Sequence, residues 1–471
     1  MEIGTSKRHP EQRLVYTVLS SFLALVTQVF FRRIEVEGLE HVPRDGPVIF
    51  VGNHPNSLID PVLILTTCSR RVHFAAKDVL FESAPLRVLL TGMGAVPIRR
   101  RKDHPDGPLD NRAAFAALNE VLHAGGAFGI FPEGISHLGT ELAPLKTGAA
   151  RIALGAAEEG IPVRIVPCGL SYFRRHRMRS RVLVQYGQPI LLDEAHVQAH
   201  REDSREAAKE LTEEIELALR AQTLNAPDFE TLRVLEGVRR LYTPRDVELS
   251  LAERAEITRR VLEHYATLKE TPEIATLFEQ VREYLFALDC LGMKDAELEK
   301  GPTAGSTVLR MVKHLFLCLV LLPFALPGVV LHAPILVLAV VAGETLSVRK
   351  DVTATTKLMS ATVLVMLAYA AVVGLVLAVF PFPEDLIWAA WALSGLLLSG
   401  WATIRVLERQ SQLRRGLWVL LQLAAGGRQI RKLQERRAAL RDAVLGAVDR
   451  YLDPDVERVV PANAQGPAAP G

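Results

Sequence analysis

Two long uncharged runs near the C-terminus constrain the fold of this chain most. Residues 358–380 and 386–404 are each apolar and long enough to cross a bilayer as a helix. The link between them, "PFPED", is acidic, whereas both outer flanks are basic, with Arg349, Lys350 and Lys357 before the pair and Arg405, Arg409, Arg414 and Arg415 after it. By the positive-inside rule both flanks are cytoplasmic. The sequence therefore predicts an integral membrane protein, and a mean hydropathy of +0.18 agrees with this.

Two further apolar segments are predicted to be associated with the membrane. Residues 14–31 carry no charge and are followed by Arg32 and Arg33, and no signal-peptide cleavage site follows them. We interpret them as a helix that either spans the bilayer or lies in its interface. Residues 315–342 contain Pro323, Pro327 and Pro334. A hairpin or re-entrant pair of short helices is predicted there, because both ends of this segment should be cytoplasmic.

Strand-like and helix-like patterns alternate over residues 34–200. The stretches "PVIFVGN", "AFGIFPEG", "VRIVPCGLSYF" and "RVLVQYGQPI" are typical of strands. Two others, "NRAAFAALNEVLHAG" and "KTGAARIALGAAEEG", are typical of helices that end at a glycine C-cap. Such alternation predicts an α/β domain with a central sheet.

The chain therefore divides into six predicted segments. Residues 201–310 are charged and helix-prone, and their charges are expected to lie on solvated helix faces. Residues 406–453 should form a basic, partly amphipathic helix on the cytoplasmic side. The complete division is a membrane-associated helix (1–33), the α/β domain (34–200), a helical region (201–310), a transmembrane region (311–405), a cytoplasmic helix (406–453) and a disordered tail (454–471).

Composition excludes several classes of function. The net charge of the 471 residues is only +2, and no RNA-binding or zinc-finger signature occurs, so no nucleic-acid partner is expected. None of the four cysteines forms a C-x-x-C pair, which indicates neither a disulfide framework nor a zinc site. We expect no metal and no cofactor.

The stretch "NHPNSLIDP" places His54 at the end of a predicted strand and Asp60 before a helix. One interpretation is structural, with Asp60 as the N-cap and Pro61 as the first helical residue. The other is catalytic, because a carboxylate close to an imidazole fixes its tautomer and stabilises the imidazolium. The stretch alone leaves both open.

A second stretch, "GMGAVPIRRRKDH", ends in a basic cluster of Arg99, Arg100, Arg101 and Lys102. Guanidinium groups match phosphate oxygens bidentately, so the cluster is a candidate phosphate site. A basic surface loop near anionic lipid is the alternative.

The third stretch, "FPEGISHLG", places Glu133 and Gly134 after a buried strand. Glu133 cannot bind phosphate, but it is suited to hold an arginine or to bond a substrate hydroxyl. Ser136 is not expected to be a nucleophile, because a serine-hydrolase elbow needs glycine two residues later, and Gly139 is three residues later. An esterase is therefore disfavoured, and His73 and His137 are interpreted as ordinary polar residues. Pro167 in "IVPCG" should end or bend its strand.

In this order and spacing, "NHPNSLID", "GAVPIRR", "FPEG" and "IVPCG" resemble the glycerophospholipid acyltransferase family over residues 40–195. Five residues separate His54 from Asp60, where the family commonly has four. This spacing and the multispan C-terminus resemble the branch that acylates glycerol 3-phosphate or dihydroxyacetone phosphate. The implied fold is an α/β acyltransferase domain with a central sheet, followed by a helical segment and C-terminal transmembrane helices.

The resemblance implies acyl transfer from a thioester, acyl-CoA or acyl-carrier protein, to a glycerol hydroxyl. His54 would be the general base and Asp60 would orient it, whereas Arg100, with Arg99 beside it, would hold the acceptor phosphate. Glu133 and Gly134 would shape the acceptor site, and Lys146 would assist. The alternatives are an acyltransferase that uses lysophosphatidic acid or another lysophospholipid, and a non-catalytic lipid-binding membrane protein.

Overall fold

The computed structural model describes residues 10–100, 103–104, 106, 110–175, 177–244, 247–299, 304–347 and 349–451. Arg101, Lys102 and the predicted tail at 454–471 lie outside these residues. The described chain forms two compact units. The first holds the residues up to Asp228 together with Ser250–Ala255 and Ser347–Thr355, and the second holds the remainder.

A mixed eight-stranded sheet forms the centre of the first unit. The strands are β1 (Phe31–Glu37), β2 (Val48–Gly52), β3 (Val72–Lys77), β4 (Val96–Ile98), β5 (Ala127–Ile130), β6 (Arg164–Tyr172), β7 (Ser180–Tyr186) and β8 (Ile190–Leu191). Their spatial order is β1-β7-β6-β2-β5-β3-β4, and β8 pairs with β6. The predicted central sheet is confirmed, and the four strands predicted from apolar runs lie in it.

The middle of this sheet is parallel and buried on both faces. β6, β2, β5, β3 and β4 are successive parallel neighbours, whereas β7 is antiparallel to β6. All five residues of β2 are buried, which explains its unbroken apolar sequence. The carboxyl ends of β2, β3, β4 and β5 therefore meet at one edge of the sheet.

Seven α-helices among the described residues lie wholly in the first unit: α1 (Pro10–Phe30), α2 (Ile59–Thr67), α3 (Ala84–Gly92), α4 (Arg112–His123), α5 (Gly148–Glu158), α6 (Glu194–Glu202) and α7 (Ser204–Arg220). Gly125 and Gly160 follow α4 and α5 with φ of 66° and 81°, which agrees with the predicted glycine helix ends. One hydrophobic core joins α4, α5 and α7 to β2 and β5. Because α7 packs into this core, the compact unit extends beyond residue 200 to Asp228.

Pro167 does not end its strand, which was one of the two outcomes predicted, because β6 continues through it to Tyr172. β6 pairs with β8 through residues 164–165 and with β7 through residues 168–172. Pro167 lies between these two ladders, where the missing N–H leaves no strand partner unsatisfied. Its carbonyl accepts a hydrogen bond from the backbone N–H of Gly187 at 2.8 Å.

The second unit is helical. Its helices are α8 (Phe229–Tyr242), α9 (Leu251–Leu268, whose first turn belongs to the first unit), α10 (Pro272–Cys290), α11 (Asp295–Glu299), α12 (Ala304–Thr345), α13 (Thr353–Val379) and α14 (Glu384–Tyr451). Residues near the end of α14, including Leu440 and Val444, form a core with α8 and α10. The predicted helix at 406–453 is thus the continuation of α14, and its apolar side chains pack against other helices.

Four described helices are long and apolar enough to cross a membrane: Arg13–Phe30, Gly305–Thr345, Lys350–Val379 and Glu384–Ala424. The predicted hairpin at 315–342 is wrong, because α12 continues through Pro323, Pro327 and Pro334. Each proline removes one intrahelical hydrogen bond, but a reversal in an apolar segment would leave more backbone groups unpaired. Gly328 instead allows close packing on α14, since a Cβ there would lie 2.5 Å from the Ser399 carbonyl.

Candidate active site

The chemistry-bearing loops meet at the carboxyl edge of the parallel strands. His54 follows β2, Arg100 follows β4, and Glu133 follows β5, while Lys77 is the last residue of β3. Because these four strands are parallel neighbours, their carboxyl ends bring loops that are distant in sequence together. The carboxyl edge of an open α/β sheet is also where ligands bind in this class of fold.

His54 and Asp60 are in direct contact. The Nδ1 atom of His54 lies 2.8 Å from Oδ2 of Asp60, and the Asp60 side chain is completely buried. Oδ2 also accepts the backbone N–H of Asn56 at 2.7 Å, which identifies it as an acceptor. Nδ1 of His54 is therefore the donor, and the lone pair of the neutral ring is on Nε2. Among the described residues, Nε2 has no hydrogen-bond partner.

Asp60 is not the helix N-cap that one interpretation of the sequence predicted. α2 begins at Ile59 after a turn in which Ser57 has a φ of 48°, and Asp60 lies within the first helical turn. Its side chain therefore turns toward His54 and not toward the helix N-terminus. The hydroxyl of Tyr172 donates to Oδ1 of Asp60 at 2.5 Å. Three donors thus compensate the burial of this carboxylate.

The imidazole is held in place by its surroundings. Its ring stacks on Phe131, with centroids 4.2 Å apart and planes 8° from parallel. The preceding residue, Asn53, bonds both the carbonyl and the N–H of Leu170 on β6, at 3.1 and 2.7 Å. Asn53 therefore extends the strand pairing where β2 ends, which fixes the start of the His54 loop.

Glu133 supports the backbone of His54. Its Oε1 accepts the His54 N–H at 2.7 Å, and its Oε2 accepts the Ala143 N–H at 2.8 Å. The residue is 3% exposed, so both oxygens are committed within the protein. Glu133 contacts no arginine among the described residues, although the sequence suggested this role.

His137 belongs to this network, which corrects its interpretation as an ordinary polar residue. Its Nε2 contacts Oε2 of Glu133, and its backbone N–H donates to the carbonyl of His54 at 3.2 Å. The hydrogen bond to Glu133 raises the pKa of His137. Ser136 is buried and accepts the Ser57 N–H at 3.0 Å, which ties the same two loops together again. His73, in contrast, bonds the Gly94 carbonyl away from these loops.

Arg100 is joined to this network through Gly134. Its Nη1 donates to the Gly134 carbonyl at 3.0 Å, and its Nε donates to Asp103 at 2.6 Å. Gly134 has a φ of +67°, and a Cβ there would lie 2.5 Å from Nζ of Lys146. Only glycine suits this position. Arg100 and the exposed Lys146 therefore both lie against one residue, which directly follows the residue that holds His54.

Two more cations lie near Arg100. Lys77 is partly buried, and its pKa is lowered, first by burial and then by the charge of Arg100. Arg99 is half-exposed and lies 3.6 Å from Asp78, and its backbone N–H donates to Asn111. Arg99 thus faces the outside of the cluster, whereas Lys77 and Arg100 are more enclosed.

The segment between α12 and α13 also contributes to this site. The guanidinium of Arg349 contacts the Ser136 carbonyl and forms a bidentate pair with the buried Asp351. Arg175 donates to the carbonyls of His137 and Pro55, at 3.2 and 3.4 Å. The loops around His54 are therefore enclosed by side chains from far along the chain. No group of three or more His, Cys, Asp or Glu side chains suited to a metal occurs in the described residues.

Five residues of this site were not predicted from the sequence: Lys77, Tyr172, Arg175, Arg349 and Asp351. Tyr172 lies in a stretch that was recognised as a strand, and the pairing of β6 beside β2 would have brought it to Asp60. Lys77 ends a strand that was not predicted. Nothing in the sequence around Arg349 distinguishes it from a basic residue that flanks a membrane helix.

Two family models match parts of this chain. Residues 33–171 match the family model described as acyltransferase. A second model, described as the glycerol-3-phosphate acyltransferase 2 C-terminal domain, matches residues 234–457. The resemblance seen in the four sequence blocks is thereby confirmed.

The chain is similar to two curated proteins of Saccharomyces cerevisiae. It is 38% identical to glycerol-3-phosphate O-acyltransferase 2 over 50% of this chain and 33% of that protein. Identity to glycerol-3-phosphate O-acyltransferase 1 is 27%, over 70% of this chain and 55% of that protein. The chain therefore spans between a third and just over half of the length of these relatives.

A solved structure is also similar to part of the chain. It is the 1-acyl-sn-glycerophosphate (LPA) acyltransferase from Thermotoga maritima, 23% identical, with a TM-score of 0.32 over 45% of this chain and 84% of that one.

Proposed function

We propose that this protein transfers an acyl group from an acyl thioester to a hydroxyl of glycerol 3-phosphate, with His54 as the general base. The acceptor is suggested by the names of the two yeast relatives. One observation carries the proposal for the base: the buried carboxylate of Asp60 lies 2.8 Å from Nδ1 of His54. Such a carboxylate holds the ring in the tautomer whose Nε2 accepts a proton.

The reaction then proceeds without a covalent enzyme intermediate. Nε2 of His54 takes the proton of the glycerol hydroxyl while the hydroxyl oxygen attacks the carbonyl carbon of the thioester. The new C–O bond forms, the C–S bond breaks, and the leaving thiolate takes the proton from His54. The Asp60 carboxylate stabilises the imidazolium between these steps. Burial raises the pKa of Tyr172, so its hydroxyl stays protonated and continues to donate to Asp60.

Arg100 and Lys146 are proposed to hold the phosphate of the acceptor. Both lie against Gly134, and Glu133 beside it holds the His54 backbone. This chain of contacts would keep the phosphate site at a fixed place relative to the base, as a near-attack geometry requires. Arg99 is the outer member of the basic cluster. Gly134 supports the acceptor site by accepting from Arg100, and Glu133 supports it by holding the His54 backbone.

The donor is proposed to be acyl-CoA or acyl-carrier protein, with the catalytic unit on the cytoplasmic face. The basic flanks around α13 and the first half of α14 favour this orientation. Helices apolar enough to cross a membrane would keep the site close to the bilayer, where an acylated product is soluble. Dihydroxyacetone phosphate has the same phosphate and a hydroxyl, so it is the second acceptor to test.

A non-catalytic lipid-binding protein is the alternative from another class. Such a protein needs no oriented base, and the three donors that satisfy buried Asp60 would serve no purpose beyond packing. An enzyme that acylates lysophosphatidic acid would use the same base with a larger acceptor.

The test is acyl transfer in isolated membranes that contain the full chain. Labelled palmitoyl-CoA is offered with glycerol 3-phosphate, dihydroxyacetone phosphate or lysophosphatidic acid, and the assay is repeated with palmitoyl-acyl-carrier protein. We expect labelled lysophosphatidic acid from glycerol 3-phosphate. Product only from lysophosphatidic acid would reassign the enzyme to that acceptor, and no product with any pair would support the lipid-binding alternative.

A further inference from the structure

A cluster of arginines lies at the opposite side of the sheet from Lys77 and Arg100, on the strands β1 and β7. Arg33 and Arg181 are register partners in the parallel pairing of these strands. Partners in a parallel ladder project from the same face of the sheet, so these two guanidinium groups leave it side by side. Neither Arg33 nor Arg181 belongs to the candidate active site.

Further arginines are brought to the same place by backbone contacts. The N–H of Phe173 donates to the Arg181 carbonyl at 3.2 Å, which places the next residue, Arg174, beside β7. The N–H of Ala252 donates to Glu35 of β1 at 3.0 Å, which places the first turn of α9, and with it Arg254, over the same strands. Leu183, Leu251 and Ala255 pack together below this turn.

Arg181 has no carboxylate partner. It is partly buried, and its guanidinium lies 5.4 Å from the centroid of the Phe173 ring. No ion pair of Arg181 occurs in the part of the chain that the structure describes, whereas Glu35 pairs with Arg33 at 2.7 Å. Burial and the charges of Arg32, Arg33, Arg174 and Arg254 lower the pKa of Arg181. Collecting like charges around a partly buried guanidinium is unfavourable unless an anion compensates them.

The cluster directly follows an apolar helix. α1 ends at Phe30, β1 begins at the next residue, and the Arg179 N–H donates to the Phe30 carbonyl at 2.6 Å. The Arg179 side chain donates to the carbonyls of Gln28 and Val29 in the last turn of the helix and to that of Phe31 at the start of β1. Leu14, Val18 and Leu25 of α1 are 65%, 58% and 56% exposed. An apolar helix with arginines at its end is the arrangement that places cations at the level of lipid headgroups.

We propose that Arg33, Arg174, Arg181 and Arg254 form a binding site for the phosphate group of an anionic membrane phospholipid. The phosphate would compensate the charge of Arg181, and α1 would lie beside the acyl chains. Strands β1 and β7 begin at the edge of the sheet where β6 ends, close to Tyr172. A lipid bound there would hold the edge that carries His54 at the membrane surface. This site is separate from the acceptor-phosphate site proposed for Arg100.

The test measures lipid binding by the purified full chain in neutral detergent. Dioctanoyl phosphatidylglycerol and dioctanoyl phosphatidylcholine are titrated by microscale thermophoresis. We expect the wild type to prefer phosphatidylglycerol, and the double variant Arg174→Gln with Arg181→Gln to bind it about tenfold more weakly, since each basic residue near an anionic lipid surface contributes measurably. The double variant Arg112→Gln with Arg205→Gln is the matched control, because both arginines are exposed and the pair also loses two positive charges.

Several outcomes decide the proposal. Equal binding of the two lipids, or unchanged phosphatidylglycerol binding in the double variant, would overturn it. Displacement of phosphatidylglycerol by coenzyme A or inorganic phosphate at equal concentration would also overturn it, because the site would then take a soluble phosphate. Arg100→Gln should keep phosphatidylglycerol binding even if acyl transfer fails, which separates this proposal from the proposed function. If the double variant does not fold, Arg174→Gln alone changes an exposed side chain and should still weaken binding severalfold.

Discussion

Glu133 holds the backbone of His54, with Oε1 of the carboxylate 2.7 Å from the His54 nitrogen. The other oxygen bonds the Ala143 N–H, so a single buried side chain connects the loop after β5 to the loop after β2. Glu133 therefore acts on the position of the imidazole, while Asp60 acts on its tautomer.

Glu133→Gln should lower kcat about tenfold to a hundredfold with a smaller effect on KM for glycerol 3-phosphate. The amide keeps one acceptor but turns a donor toward either Ala143 or His54, and a displacement of about 1 Å costs roughly a hundredfold in rate. Steady-state kinetics in membranes, normalised to the amount of folded protein, check this. A change in KM alone would show that Glu133 acts on the acceptor instead.

Asp60→Asn should lower kcat about tenfold to a hundredfold or more, because the amide no longer fixes the Nδ1–H tautomer of His54. The matched control is Tyr172→Phe, which removes only the hydrogen bond to the other carboxylate oxygen. We expect the control to retain at least a tenth of the activity. Equal activity of Asp60→Asn and the wild type would contradict the orienting role.

Arg100→Gln should raise KM for glycerol 3-phosphate about tenfold to a hundredfold and change kcat less. A hydrogen bond to a charged group contributes about 1.5–3 kcal/mol, which corresponds to this range. Lys146→Gln should have a smaller effect in the same direction. Arg112→Gln is the control, because the Arg112 side chain is 92% exposed and pairs with Asp110. An unchanged KM in Arg100→Gln would remove this residue from the acceptor site.

The contact between His137 and Glu133 should stabilise the fold most in mildly acidic solution. Because the folded-state pKa of His137 lies above 6.5, its contribution is fully present below pH 6.5 and is lost as the pH rises through the raised value. His137→Gln should therefore lower the apparent Tm more at pH 6 than at pH 9. Thermal unfolding of the full chain at both pH values measures this difference. Equal losses at the two pH values would indicate that the ion pair contributes no pH-dependent stability.

The central sheet could be predicted because β2, β5 and β6 are buried runs whose apolar sequence is unbroken. The pairing of His54 with Asp60 could be proposed because both lie in one short loop. Tyr172 could not be assigned, since it lies 112 positions after Asp60 and only the sheet order brings it there. Arg349 and its partner Asp351 could not be assigned either, because the contact of Arg349 with the Ser136 carbonyl depends on tertiary packing.

The number of apolar segments long enough to cross a membrane could be predicted, but the course of the helices that contain them could not. Apolar length identifies a candidate span at each of the four places, including α12. The three prolines of α12 suggested that the chain reverses its direction there. In an apolar environment, however, a continuous helix that loses one hydrogen bond at each proline leaves fewer backbone groups unpaired than a turn does. Likewise, the basic residues after Thr403 suggested a separate helix. In the structure α14 runs without a break from Glu384 to Tyr451, and Leu440 and Val444 near its end pack into a hydrophobic core.

The most direct test of His54 as the general base is acyl transfer by His54→Ala compared with the wild type. With labelled palmitoyl-CoA or palmitoyl-acyl-carrier protein and glycerol 3-phosphate, we expect the rate of the variant to be about 10²–10⁴-fold lower, because a positioned general base contributes this much. Binding of glycerol 3-phosphate should be nearly unchanged. A His54→Ala variant that makes lysophosphatidic acid at the wild-type rate would contradict the assignment of His54 as the base.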